Sequence, residues 1–168
     1  MMKNFLMLLA MSIATTSTAQ NAVTTHKTFS RTTSVSADIH AEAAIVWALL
    51  TNAGDYKRWN STIVSIEGNI ALGEKIHLKS TLDPSRTFKL KVKSFEPEKQ
   101  LVWGDAMGKR TYTLTPKGNG MVHFSMSETI GGPIFPLFAS KIPSFDASFD
   151  QFTADLKKEA EAIQGTKK

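Results

Sequence analysis

Glu128 closes a stretch, MVHFSMSE over residues 121–128, in which Val122, Phe124 and Met126 alternate with polar neighbours. By parity its carboxyl shares the apolar side. Burial there would favour the protonated form and suit the group to shuttle a proton. The competing reading is an acid bonded at a strand end and partly wet. Tyr112 alternates in the same way with Leu114 and could donate a hydrogen bond to a ligand carbonyl. Otherwise it is a core ring with its hydroxyl at the rim. Arg86 and Arg110 fall near strand starts, where solvation is expected, with a ligand carboxylate as the functional alternative for Arg110. Trp47, Trp59 and Trp103 are candidates to line a pocket, with a packed core as the other outcome.

Other chemistries find little support. His26, His40, His77 and His123 show no spacing suited to a metal, and His77 and His123 alternate with apolar residues, so they should face outward. No metal site is expected. The chain has no cysteine, which removes disulfides, thiolate ligands and a cysteine nucleophile. No nucleophile elbow, phosphate loop or paired-carboxylate motif appears, and no cofactor is expected. Gly131-Gly132 lacks the flanks of a phosphate cradle and reads as a tight turn.

A cationic pattern is clearer. Lys75, His77 and Lys79 occupy one side of one expected strand, and Lys89, Lys91 and Lys93 one side of the next. If the strands pair, these side chains share an outer face. It is either a solvated surface that discourages edge pairing, or a place for peripheral contact with anionic membrane through Lys75, Lys79, Lys89, Lys91 and Lys93.

The elements that must position these groups are legible from periodicity. From Ser144 onward the apolar residues Phe145, Phe149, Phe152, Leu156, Ala160 and Ile163 recur at steps of three and four, one face of a long helix. Asp146 and Asp150 lie near its start and Lys157 and Lys158 further on, the order its dipole favours. Residues 28–37 are β-prone, residues 41–50 (AEAAIVWALL) form a short helix apolar almost all round, and residues 56–59 form a second short turn or helix. Alternation then marks strands at 62–67, 75–79, 88–92, 100–104, 110–115 and 121–128, with turns at Gly68-Asn69, Asp83-Pro84-Ser85, Glu96-Pro97-Glu98 and 116–120.

These elements predict an α+β fold: a curved antiparallel sheet of about seven strands wrapped around the C-terminal helix, with two short helices after the first strand. The inward face should carry Ile76, Leu78, Phe88, Leu90, Val92, Leu101, Trp103, Tyr112, Leu114, Val122, Phe124 and Met126. Such a face either packs solidly on the helix or lines an apolar pocket. Periodicity does not separate the two. Pro136 and Pro143 predict a broken stretch before the regular helix, a gate over residues 131–143.

The 168 residues suit one domain, and 42% hydrophobic with 21% charged residues is an ordinary globular balance. Lys3 followed by FLMLLAMSIA (residues 5–14) and Ser17-Thr18-Ala19 has the pattern of a cleaved secretory signal, too short to span a bilayer comfortably. Residues 1–19 are therefore expected to be a signal peptide, 20–27 a polar lead, 28–164 the domain and 165–168 a polar tail. Removing 1–19, with one lysine and no acids, leaves a net charge of +4. That mild excess and an exported location, such as a bacterial periplasm, argue against nucleic acid.

Three stretches together resemble the SRPBCC superfamily, the START-like helix-grip group that includes polyketide cyclase/dehydrase-like proteins. AIVWALL (44–50) followed by YKRWN (56–60) is similar to the group's "VW..L....Y..WN" helix pair. VKSFEPEKQLVW (92–103) is similar to its "v..fepp..L.W" hairpin, and SETIGGP (127–133) to its strand-to-helix junction. The resemblance covers residues 30–163. It implies a cavity between sheet and long helix for a lipid, sterol, polyketide or other hydrophobic molecule. The cavity residues expected on that basis are Trp47, Trp59, Leu78, Phe88, Leu90, Val92, Trp103, Tyr112, Phe124, Met126, Phe135, Phe138, Phe145 and Phe149. The expected function is an exported, non-catalytic binding protein. An enzyme of cyclase or dehydratase type using Glu128 or Tyr112, and an interaction module using the lysine face, are the alternatives.

Overall fold

The structure is a computed structural model that describes residues 20–166. The expected signal peptide and the last two residues of the expected tail lie outside them. Eight strands form one sheet: β1 (Gln20–Lys27), β2 (Ser30–Ile39), β3 (Ile63–Glu67), β4 (Lys75–Ser80), β5 (Asp83–Glu96), β6 (Gln100–Gly104), β7 (Gly108–Gly118) and β8 (Met121–Gly131). Helices α1 (Ala43–Thr51) and α2 (Tyr56–Trp59) follow β2, and α3 (Asp146–Gly165) ends the chain. The sheet is antiparallel throughout, in the order β1-β2-β8-β7-β6-β5-β4-β3. From β3 to β8 it is the expected meander, and the β1–β2 hairpin closes onto β8.

The eighth strand is the main departure. Residues 20–27 are not a polar lead but β1, paired with β2 from Gln20↔Ser36 to Lys27↔Ser30. Their polarity has local partners: Ala22 N–H donates to Asp150 Oδ1 at 2.6 Å, and Thr24 Oγ1 donates to Asp146 Oδ1 at 2.5 Å. Asp146 and Asp150 therefore tie β1 to α3.

Two boundaries also move. Asp83-Pro84-Ser85 is not a turn; β5 begins at Asp83, and the turn falls on Thr81 and Leu82. Only residues 91–96 of β5 pair with β6, so Pro84 lies where that edge is free and its missing N–H costs no ladder bond. The last helix starts at Asp146 rather than Ser144, after two 3-10 turns at Phe135–Leu137 and Ala139–Lys141. Pro136 and Pro143 thus break the stretch before it, as their chemistry requires.

The core lies between the inner face of the sheet and α1, α2 and α3. Ile76, Val92, Leu101, Trp103, Tyr112, Leu114, Val122, Phe124 and Met126 face it from the strands, and Phe149, Phe152, Leu156 and Ala160 from α3. Helix α1 buries Ala43, Ile45, Val46, Leu49 and Leu50, in keeping with its apolar surround. Tyr56 of α2 donates its hydroxyl to Leu50 O at 2.8 Å. Two glycines are set by close approach. A Cβ on Gly104 would stand 2.1 Å from Gly108 O, and one on Gly131 would stand 2.7 Å from Phe29 O.

Candidate functional site

One row across the inner face holds the polar chemistry. The register places Thr33, Glu128, Arg110 and Trp103 side by side on β2, β8, β7 and β6. Arg110 Nε donates to Glu128 Oε2 at 2.6 Å, and Nη2 meets the same oxygen. Their side chains are only 16% and 17% exposed. Arg110 was expected in solvent; strand pairing instead turns it inward, under the ring of Phe149 at 5.0 Å. Glu128 has the inward parity expected, but a guanidinium partner rather than apolar isolation. In this pair it is a hydrogen-bond acceptor.

Burial alone would push Arg110 down, but the charge of Glu128, with the Tyr112 hydroxyl beside it, holds the guanidinium above its ordinary value. Tyr112 is pushed up to about 12, by burial first, with Arg110 opposing the rise. Its ring meets Trp103 edge-on at 5.0 Å and lies 5.8 Å from Phe152. Its hydroxyl has no geometrically formed hydrogen bond. Two further buried polar atoms among the described residues share that condition, Trp59 Nε1 and Thr153 Oγ1. Trp59 stacks edge-on against Phe152 at 5.7 Å, and Thr153 is the next residue of α3. The rings of Trp59 and Tyr112 both meet Phe152 from the helix and sheet sides of the core.

A second arginine, which periodicity did not single out, holds the segment over this row. Arg31 of β2 is 8% exposed. Its Nη1 donates to Ile142 O at 3.1 Å and its Nη2 to Pro143 O at 2.6 Å. Its guanidinium lies 4.8 Å from the Phe145 ring, which stacks on Phe149 at 6.0 Å. The order Arg31, Phe145, Phe149, Arg110 is a continuous cation–ring stack across the start of α3. The inward parity of Arg31 was readable from Val35 and Ala37, but its partners lie more than a hundred residues away.

The remaining expected cavity residues fall in three places. Val92, Trp103, Tyr112, Phe124, Met126 and Phe149 are in the central core, with Leu78 and Trp59 at its flank. Phe88 and Leu90 are half-buried on the free half of β5, where Arg86 lies over the Phe88 ring at 4.6 Å. Trp47 is half-buried against Phe95 at 5.0 Å, and Phe135 packs against Phe138 at 5.7 Å within the 3-10 turns. Side chains occupy the space between sheet and helix. Two open hollows lie at the surface: about 360 Å³ bounded by Ser65, Glu67, His77, Lys79, Thr87 and Lys89, and about 330 Å³ over β1, β2 and β8. Among the described residues no group of three or more histidines or acids gathers as for a metal.

An antiparallel sheet gripping a C-terminal helix, with the first hairpin closing on the last strand, defines the helix-grip, START-like class of the SRPBCC superfamily. Residues 30–161 match the family described as "Polyketide cyclase / dehydrase and lipid transport", and the chain belongs to that family. Solved structures share its fold at low identity. A conserved protein of unknown function from Enterococcus faecalis has a TM-score of 0.62 at 16% identity, covering 84% of this chain and 78% of that one. A START superfamily protein from Mycobacterium smegmatis has a TM-score of 0.58 at 13% identity, covering 79% and 98%. A norcoclaurine synthase point mutant from Thalictrum, in complex with a transition-state analogue, has a TM-score of 0.60 at 12% identity, covering 83% and 99%. None of the curated proteins compared matches the sequence.

Proposed function

We propose that this protein is an exported carrier for a small, mainly apolar molecule with a polar or anionic head. The observation that carries the reading is the Arg110–Glu128 pair, with the Tyr112 hydroxyl beside the guanidinium, on a largely apolar face. A buried ion pair is a poor way to stabilise a core, since apolar residues of similar volume often do as well or better. Its position suits a ligand: Arg110 would take a carboxylate or carbonyl, Glu128 a hydroxyl, and Tyr112 would donate to either. Because side chains fill the interior, entry requires residues 132–145 and the first turn of α3 to move aside. Export rests on the pattern of residues 1–19.

Native mass spectrometry of the protein purified gently from its own cells tests this. The expected result is a stoichiometric extra mass that extracts into organic solvent and is lost in the double variant Arg110→Met/Glu128→Leu. A clean apo mass, with no uptake of an apolar fluorescent dye, would overturn the reading. The enzymatic alternative draws on the neutral Tyr112 hydroxyl held beside a guanidinium, a plausible proton donor to a carbonyl compound. In that case Glu128→Gln or Tyr112→Phe should abolish turnover and leave ligand affinity nearly intact.

The lysine face is read as a solvated surface: Lys75 lies directly opposite Lys91, and His77 opposite Lys89, an arrangement that discourages pairing with a second sheet edge.

A further inference from the structure

We propose that the protein docks on anionic phospholipid bilayers through the ends of its strands, where three turns converge, rather than through the lysine face. Four large apolar side chains stand out from this end. Phe29 on the β1–β2 turn is 57% exposed, Met107 on the β6–β7 turn 38%, and Ile134 and Leu137 on the stretch after β8 are 58% and 81%. Backbone bonds hold the three segments together. Gly131 N–H donates to Met107 O at 2.9 Å, and Gly132 N–H donates to Phe29 O at 3.0 Å. Leu82, 37% exposed on the β4–β5 turn, lies at the same ends of the strands. Apolar side chains exposed together mark an interaction surface. Here they stand on three separate turns at the ends of the strands, an arrangement suited to entering a bilayer surface.

Charge selects the occupant. Lys27 ends β1, Lys109 is the second residue of β7 and Lys141 ends the second 3-10 turn. All three are exposed and make no ion pair among the described residues. Two acids nearby keep their charge while bonded to uncharged donors: Asp105 Oδ1 accepts the Met107 and Gly108 N–H groups, and Asp146 accepts Thr24 and Ser144. Apolar tips ringed by free cations match an anionic lipid surface. The outward positions of β4 and β5 carry lysines, His77 and Thr87 but no large exposed apolar residue. Docking by the strand ends would also bring lipid to residues 132–145, the stretch that covers the Arg110–Glu128 row.

The absence of cysteine makes the test direct. The full chain is prepared as Leu137→Cys and, separately, Lys89→Cys, each labelled with an environment-sensitive dye. Vesicles are phosphatidylcholine alone, or an equal mixture with phosphatidylglycerol. The Leu137 label should shift to the blue only with phosphatidylglycerol, the Lys89 label should not shift, and raised salt should reverse the effect. Flotation should fall by at least about tenfold in Phe29→Ser/Ile134→Ser/Leu137→Ser, whose sites are exposed enough to leave the melting temperature unchanged. Flotation equal to wild type in the triple variant overturns the proposal. So does a shift of the Lys89 label alone, or concentration-dependent dimerisation without lipid that the triple variant abolishes. Arg110→Met/Glu128→Leu should float normally, which separates this proposal from that of the internal cargo.

Discussion

Arg110 stays charged in a nearly dry place because Glu128 meets it across one strand pair, and each makes the other tolerable. Removing one partner leaves an uncompensated charge, so Arg110→Ala should cost about 3–5 kcal/mol. Arg110→Met/Glu128→Leu should fold with near wild-type stability while losing cargo, the difference being read by thermal melts beside mass spectra. The two tyrosines give a second readout. Both Tyr56 and Tyr112 are fully buried, and burial raises both, Tyr112 to about 12 and Tyr56 well above its ordinary value. A raised folded-state pKa favours the neutral form. Its contribution to stability is complete below the unfolded value near 10 and is lost as pH rises through the folded one. An ultraviolet titration should therefore show no tyrosinate up to about pH 10. Above that, ionisation should appear together with loss of the near-ultraviolet circular dichroism. Tyrosinate forming at pH 10 in the intact fold would contradict the packing described for both rings.

At the scale of elements, the stretch between β8 and α3 is irregular and tied down at its end. Proline breaks it into 3-10 turns, and few of its backbone bonds are those of a regular element. Arg31 fastens its end. In Arg31→Ala two carbonyls lose charge-assisted partners, a loss of about 3–6 kcal/mol. The effect should be local: amide hydrogen exchange should quicken around residues 138–149 while β6 and β7 keep their protection. Arg31→Lys should rescue only in part, because an ammonium cannot reproduce the two-pronged contact. Uniform loss of protection across the sheet would mean that Arg31 serves the whole core instead. The β1 strand is the other element whose attachment is polar, through Asp146 and Asp150 of α3.

For the whole molecule, the sheet, the helices and the overlying stretch enclose one core of packed side chains. A ligand that binds the folded state alone stabilises it, by about 2.7 kcal/mol at a hundredfold excess over its dissociation constant. Protein stripped of bound lipid with organic solvent and refolded should therefore melt lower than protein taken directly from cells. Adding back the extract should restore the melting point in the wild type and not in Arg110→Met/Glu128→Leu. Identical melting before and after stripping would count against any resident cargo.

Periodicity in this sequence was enough for the class of fold. The alternation of Phe88, Leu90 and Val92 with lysines put one face in and one face out, and the Phe149–Phe152–Leu156–Ala160 stripe required a sheet to cover it. Side-chain parity is local, which is why the inward set and the outward lysines were legible. Pairing is not local. That Arg110 faces Glu128 depends on the β7–β8 register, and that Arg31 reaches the Ile142 and Pro143 carbonyls depends on β2 closing beside β8. The β1 strand escaped notice because it has little apolar alternation and its ties to Asp146 and Asp150 reach more than a hundred residues along the chain. Whether the inner face packs or opens also belongs to tertiary structure. Parity sets the direction of Trp103, Tyr112 and Phe149; only the distance between sheet and helix decides whether those rings touch each other or a guest.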